Sequence, residues 1–559
     1  MYISEKIEWL LKYCSEYIDH AEQYDERQDE NDKFQIDLGV EKYIKSKLDC
    51  KQLILLTGDA GDGKTRILFN MKKVLDESWE FINDFSEYTP TQKEELLTDL
   101  IVSLENKTKK YIIAANSGIF VNSIIHQNKH QLLNMIEDEN TCIKLNFNSR
   151  NLAMKEPNED VKSTMFYNII TEYLDYSRLE HCAECLAYEG CPFVYNIKNM
   201  TKPDVIEAIR VLFDTLYLMG LHITFRDLLS VVSYFITKAR TCEEIKSSRV
   251  TDDSYYFNNI FSYSGSNNRL LTELSKLDVA QKDLAEFDYK VNFKEIDDSE
   301  HKIDFKYSAD NILVKLNQIK RYLFFTSPQK LIVDYDSLYD FLPVKYVKEF
   351  RNLIDDLKEN NCIQSMDNAP TVLKLELGLN KISNPDQSDA QLILFDSPPL
   401  ITKNVRLEYS PPEKLPMMLS TENFYKNPNV EMKRKVLGDI NQFYCFVYWE
   451  DSEEDVEEND IVSFEDCPTL KINYKLFEQI MLAKDDVFSA KSASISDNAN
   501  IVNFTKSIFD RLDAKHRISI KWIGSKESGI ENFDISFIKQ PKFVNNKSSA
   551  KKINISIGK

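Results

Sequence analysis

The chain of 559 residues has little glycine, no run of 18 apolar residues and no excess of positive charge. Without such a run, and without a positively charged leader, we expect a soluble, unexported cytoplasmic protein with no membrane segment. Ten cysteines at irregular spacing favour reduced thiols over a disulfide framework. A net charge of -20 gives no overall field that would attract nucleic acid, so any DNA contact must come from local patches or from a partner.

The few glycines are concentrated in one stretch. The stretch is LILLTGDAGDGKT, residues 53–65. It contains three of the 13 glycines, Gly58, Gly61 and Gly63, within a span of six residues. Gly58, Gly63, Lys64 and Thr65 fill the fixed positions of G-x-x-x-x-G-K-[ST]. Apolar residues 53–56 supply the strand that this phosphate-loop motif must follow. The sequence therefore predicts a nucleotide-binding P-loop.

The motif implies a division of labour among its residues. Glycine allows backbone N–H groups to surround a phosphate, and the helix N-terminus adds partial positive charge. Lys64 is expected to contact the β- and γ-phosphates of ATP, and the hydroxyl of Thr65 to contact Mg²⁺. The side chains of Asp59, Ala60 and Asp62 can point away from the nucleotide. The candidate nucleotide contacts are Gly58, Asp59, Ala60, Gly61, Asp62, Gly63, Lys64, Thr65 and Arg66. Downstream, an apolar helix face is predicted at Ile67, Leu68, Met71, Val74 and Leu75.

A second apolar strand, WEFINDFSE at 79–87, ends at Asp84. An acid at the carboxyl end of a parallel strand can complete a magnesium site, so Asp84 is the candidate Walker B residue. Asp84 comes only about twenty residues after Lys64, which is a short spacing for a Walker B residue. The glutamate that usually follows a Walker B acid and orients water is absent, and Glu87 is the nearest substitute. The alternative is that Asp84 only caps a turn. The following helix is expected to begin at Thr91, with Glu94 completing a capping box.

KYIIAANSG at 110–118 is a continuous apolar strand typical of the centre of a parallel sheet. Asn116 at its end resembles the sensor-1 asparagine of AAA-type ATPases, and its alternative role is to form a turn before Gly118. CIKLNFNSR at 142–150 predicts a further strand with Arg150 at its exit. This alternation predicts an α/β fold, a doubly wound parallel sheet over about residues 50–160.

Cys182, Cys185 and Cys191 form a C-x2-C-x5-C array. The first pair has zinc-knuckle spacing, so structural zinc is one interpretation, reduced and partly buried thiols are a second, and redox chemistry is a third. A tetrahedral site would need a fourth ligand such as His181, Cys142 or Cys242.

An amphipathic helix is predicted at 202–220, followed by a second helix that begins with a Thr224–Asp227 capping box. A helical hairpin after an α/β core resembles the lid of AAA proteins. That resemblance implies that Arg226 reaches the γ-phosphate, and the alternative is a solvent-facing arginine paired with an acid.

Composition shifts suggest four regions. They are a helical N-terminal extension (1–45), a P-loop NTPase core with the cysteine array (46–200), a helical lid and insertion (201–325) and a mixed α/β C-terminal region (326–559). The acidic run 449–460 is expected to be an exposed loop. Six lysines follow Asp534 with no acid, either as a solubilising tail or as a phosphate-backbone patch.

The order of GDAGDGKT, NDFSE, IAANSG, the C-x2-C-x5-CP array, TFRDLL and LNQIKRYLFF resembles the DptF family, the ATPase-like components of bacterial DNA phosphorothioation-dependent restriction systems. The resemblance covers roughly residues 1–330. It implies an ATP- and Mg²⁺-dependent role in antiviral defence, exerted with other subunits that provide DNA cleavage, and it leaves a homo-oligomer open. The competing prediction is a signalling or scaffold NTPase that switches with little turnover and has no direct role on DNA.

Overall fold

The computed structural model divides into two compact units. The first comprises Met1–Tyr217, Leu221–Val344 and Asn427–Asp439, and the second Leu218–Gly220, Lys345–Lys426 and Ile440–Lys559. The structure describes residues 10–11, 39–48, 51–138, 140–175, 182, 185, 188–247, 254–262, 268–285, 287–288, 312–360, 362–364, 370–383, 394–395, 405–410, 417–421, 441–447, 468–487, 495–511, 517–524, 534–538 and 553–556.

Between residues 40 and 146 strands and helices alternate. The strands are β1 (Leu53–Thr57), β2 (Trp79–Ile82), β3 (Lys110–Ala115) and β4 (Cys142–Asn146). The helices are α1 (Val40–Ser46), α2 (Lys64–Lys72), α3 (Pro90–Asn106), α4 (Ser117–His126) and α5 (Gln131–Glu137).

Strands β1 to β4 form one sheet in the order β2-β3-β1-β4, and every neighbouring pair is parallel. Alternate residues of β1 face two separate cores: Leu53 and Leu55 pack with α3, α4 and α5, whereas Ile54 and Leu56 pack with α1 and α2. All five residues of β1 are buried, which is why its sequence is apolar without alternation. The prediction of an α/β fold with a buried parallel sheet is confirmed.

Two local predictions were wrong. Helix α2 ends at Lys72, and the side chain of Val74 is 53% exposed instead of extending the apolar face. Helix α3 begins at Pro90, with Thr89 as its N-cap and Gln92 completing the capping box, so Thr91 and Glu94 lie inside the helix. Proline at the first helical position fixes this start, because its φ suits a helix and its missing N–H would be unpaired there anyway.

The first unit continues with helices. They are α6 (Met165–Tyr173), α7 (Pro192–Met200), α8 (Pro203–Leu218), α9 (Phe225–Thr237), α10 (Cys242–Ser247), α11 (Tyr256–Asn259), α12 (Arg269–Lys276) and α13 (Ile312–Thr326).

Helices α8 and α9 follow each other in the region where the sequence predicted a helical hairpin. The stripe of Val205, Ile209, Leu212 and Leu216 along α8 is buried. The capping box that begins α9 is present as predicted, because the Thr224 hydroxyl accepts from the N–H of Asp227 and the Asp227 carboxylate accepts from the N–H of Thr224.

The C-terminal part is mixed α and β. Its helices are α14 (Val347–Asn360), α15 (Pro370–Ser383), α16 (Tyr474–Lys484) and α17 (Ile495–Arg511). Its strands are β5 (Cys362–Gln364), β6 (Leu394–Phe395), β7 (Val405–Ser410), β8 (Met417–Ser420), β9 (Gln442–Val447), β10 (Thr469–Asn473), β11 (Arg517–Gly524), β12 (Asp534–Ile538) and β13 (Ile553–Ser556). They form two antiparallel sheets, ordered β10-β9-β8-β5 and β13-β12-β11-β7-β6.

Within the described ranges, no helix is both long enough and apolar enough to cross a membrane. The acidic run 449–460, His181 and the lysines beyond residue 538 lie outside the described residues.

Candidate phosphate-binding site

Residues 58–63, here called the glycine loop, connect β1 to α2 at the carboxyl edge of the parallel sheet. Gly58 has φ +151°, and a Cβ there would lie 2.5 Å from Oδ2 of Asp62 and 2.9 Å from Cβ of Phe147. The loop therefore closes over its own buried carboxylate, and only glycine leaves room for that approach.

Helix α2 begins directly after the loop and has no side-chain cap at its N-terminus. The first N–H groups of a helix have no partner within the helix, and together with the helix dipole they favour an anion. Thr65, in the first turn, is exposed. The first turn of α2 therefore has no side-chain cap and carries an exposed hydroxyl.

The ammonium of Lys64 turns back over the glycine loop. Its Nζ donates to the carbonyl oxygens of Gly58 at 2.9 Å and Asp59 at 2.6 Å. Burial lowers the pKa of Lys64, while the negative charges of Asp62, Asp84 and Asp59 act in the opposite direction. Since an ammonium has three N–H donors, one remains for a ligand.

The carboxyl ends of β2 and β3 bring two predicted residues to the same edge. Asp84 follows β2 and its charge acts on Lys64, but its Oδ1 also accepts from the N–H of Ser86 at 2.7 Å. Asn116 follows β3 and caps α4 through Oδ1, while its Nδ2 donates to Oδ1 of Asp59 at 3.4 Å. Asp84 and Asn116 thus form the caps that the simpler interpretation expected and also lie beside the loop.

The remaining predicted contacts are less involved. Ala60 and Glu87 are exposed. The carboxylate of Glu87 makes no hydrogen bond or ion pair to the described residues around the loop. The guanidinium of Arg66 lies 6.0 Å from the ring centroid of Phe69, on the body of α2.

The beginning of α9 lies against the glycine loop. The N–H of Arg226 donates to the carbonyl of Gly61 at 3.2 Å. At Gly61, where φ is +100°, a Cβ would lie 2.9 Å from Cβ of Arg226 and 3.0 Å from Oγ1 of Thr224. The positive charge of Arg226 acts to lower the pKa of Lys64. In the part of the chain that the structure describes, no hydrogen bond or ion pair of its guanidinium is seen, so its role stays a prediction.

Sequence reasoning did not identify His222 or the role of Arg150. Nε2 of His222 lies 3.0 Å from Oδ1 of Asp62, whose side chain is 2% exposed. Arg150 is buried with its guanidinium 5.4 Å from the ring centroid of Phe147, and its Nε and Nη1 have no hydrogen-bond partner among the described residues. Burial lowers the pKa of Arg150 to about 10, and the negative charge of Asp62 opposes that shift. Asp62 is visible in the sequence as a loop acid, but its partner His222 lies 160 residues away along the chain.

Cys182, Cys185 and Cys191 are all free thiols of intermediate exposure. The N–H of Cys185 donates to the carbonyl of Cys182 at 3.0 Å. Burial raises the pKa of the Cys191 thiol, and the other two cysteines add to that shift. Within the described residues, no three side chains of His, Cys, Asp or Glu are grouped as metal ligands.

Comparison of the chain with protein-family models, with curated proteins and with solved structures found no match.

Proposed function

We propose that this chain binds and hydrolyses ATP at the glycine loop, as one component of a bacterial DNA restriction complex that depends on phosphorothioation. The observation that supports nucleotide binding best is the uncapped N-terminus of α2, over which Lys64 holds an ammonium with a donor to spare. A strand-loop-helix unit with an uncapped helix end suits the phosphates of a nucleotide.

The chain's residues divide the work as follows. The loop N–H groups and Lys64 bind the β- and γ-phosphates, and Arg226 supplies a second positive charge at the γ-phosphate. Mg²⁺ would be held by the Thr65 hydroxyl and the Asp84 carboxylate, and would neutralise phosphate charge. Asn116 orients the attacking water from the adjacent strand end.

Nucleotide binding is tested by calorimetric titration of ATP with Lys64→Ala. A lost charge-assisted hydrogen bond costs about 1.5–3 kcal/mol, so the affinity should fall by roughly 10- to 150-fold. Lys72→Ala is the matched control, because Lys72 is an exposed lysine in the last turn of the same helix. Equal ATP affinity of Lys64→Ala and Lys72→Ala would refute the proposed site.

The role in restriction rests on the order of sequence motifs. A chain of net charge -20 is repelled by duplex DNA, so the isolated protein should bind DNA weakly and with steep salt dependence. Selectivity for unmodified DNA should appear only when the products of neighbouring genes are purified with it. Tight, salt-insensitive and modification-selective binding by the chain alone would contradict this part of the proposal.

One observation favours a second candidate, a nucleotide-dependent switch with little turnover. Glu87 is exposed, and its carboxylate is not directed to the loop by any hydrogen bond among the described residues. Without a general base to accept the proton of the attacking water, hydrolysis loses a factor of about 10²–10⁴. Steady-state turnover with and without DNA separates the two candidates, because a switch should hydrolyse ATP slowly and indifferently to DNA.

A further inference from the structure

The side chain of Asp62 is buried, and each of its carboxyl oxygens has a hydrogen-bond partner. Its Oδ2 accepts from the N–H of Asp59 at 2.7 Å, across the turn of the glycine loop. Its Oδ1 accepts from Nε2 of His222 at 3.0 Å. The side chain of Asp62 is 2% exposed and that of His222 is 18% exposed, so water has little access to this contact. The carboxylate therefore connects the inside of the loop to the segment that precedes α9.

A second connection runs alongside the first. The N–H of Arg226 donates to the carbonyl of Gly61, and this N–H is one of the early helix donors that otherwise lack a partner. The Thr224–Asp227 capping box holds the start of α9 in place while it makes that contact. Successive loop residues, Gly61 and Asp62, are thus each held by one residue of the segment 222–226.

His222 holds the Asp62 carboxylate among other charged groups. The negative charge of Asp62 acts on two nearby cations, because it opposes the burial-driven lowering of the pKa of both Lys64 and Arg150. If His222 were removed, one oxygen of a buried carboxylate would lose its partner, which is costly in a site that excludes water. The carboxylate would then turn towards Arg150 or Lys64. Either movement would pull on the N–H of Asp59 and alter the loop that Lys64 covers.

We propose that His222 is a positioning residue that, through Asp62, holds the glycine loop in the shape that receives the nucleotide's phosphates. The inference rests on the proposed function, since the loop is taken as the phosphate site. It makes the segment 222–226 part of the nucleotide site, although no atom of His222 needs to contact the nucleotide.

The first test uses nucleotide-free protein and measures hydrogen exchange in peptides that cover the glycine loop. His222→Ala should speed exchange of the Asp59 amide about tenfold, because its acceptor loses its anchor. His222→Gln, which can still donate to Asp62, should restore most of the protection. The control is His130→Ala, at an exposed histidine before α5. Unchanged loop exchange in His222→Ala would overturn the inference.

The second test measures ATP affinity of the same variants by calorimetry. His222→Ala should weaken binding about tenfold, equivalent to about 1.4 kcal/mol, and His222→Gln should stay within about threefold of the native chain. Equal weakening by Ala and Gln would indicate packing alone and would contradict positioning through Asp62. If His222→Ala does not fold, His222→Leu retains the buried volume and carries the same comparison. If the native chain does not bind ATP, the proposed function fails, and the exchange experiment still decides whether His222 holds the loop.

Discussion

Gly61→Ala should lower the free energy of unfolding by more than the positive φ of Gly61 alone explains. Any non-glycine residue at positive φ costs about 1–2 kcal/mol. At Gly61 the added Cβ would also lie 2.9 Å from Cβ of Arg226 and 3.0 Å from Oγ1 of Thr224, so the start of α9 must move. Such overpacking adds about 1–3 kcal/mol. The movement would also break the bond from Arg226 N–H to the Gly61 carbonyl and disturb the loop.

Gly39 provides the matched control. Its φ is +71°, and a Cβ there would meet nothing within 4 Å, so Gly39→Ala carries the backbone cost without the collision. Urea unfolding should show a clearly larger loss of stability for Gly61→Ala than for Gly39→Ala. Calorimetry should show ATP affinity reduced about tenfold or more in Gly61→Ala and unchanged in Gly39→Ala. The reasoning is refuted if the two variants are equally stable and bind ATP equally well.

Two further predictions concern other parts of the chain. Asp84→Asn should bind ATP with nearly native affinity but lose most Mg²⁺-dependent hydrolysis, as measured by phosphate release, because an amide is a poorer magnesium ligand than a carboxylate; native turnover would move the metal contact to another residue. Since burial raises the pKa of Cys191, its alkylation near neutral pH should be slower than that of an exposed thiol and should accelerate as pH rises, which mass spectrometry can follow. One zinc per chain in protein purified without added metal, lost in Cys185→Ser, would instead support the zinc interpretation of the cysteine array.

The sequence predicted the elements whose signals are local. Strand β1 is recognisable because its first four residues, 53–56, are apolar without interruption, and a strand buried on both faces needs that pattern. The capping box of α9 was recognisable because Thr224 and Asp227 have the required spacing. The start of α3 is ambiguous from the threonines alone, because Thr89 and Thr91 could each cap a helix. The proline between them favours Thr89, because proline is preferred at the first helical position.

The sequence could not predict the contacts that connect distant segments. Asp62 and His222 are 160 residues apart, and no sequence motif around either residue indicates a contact with the other. A half-buried histidine and a loop aspartate are compatible with many folds. Only the packing of the segment before α9 against the loop brings them within hydrogen-bond distance.

The packing of the segment before α9 also explains two residues of the glycine loop, Gly61 and Asp62. The fixed positions of the motif are Gly58, Gly63, Lys64 and Thr65, and these would suffice for any phosphate loop. Gly61 lies at a variable position, where the phosphate-loop motif does not require glycine. The structure gives it a different reason, since a side chain there would collide with the start of α9. Asp62, also at a variable position, is engaged by His222. The fixed positions thus fit the proposed nucleotide, while two of the four variable positions, Gly61 and Asp62, fit the segment 222–226 that lies against the loop.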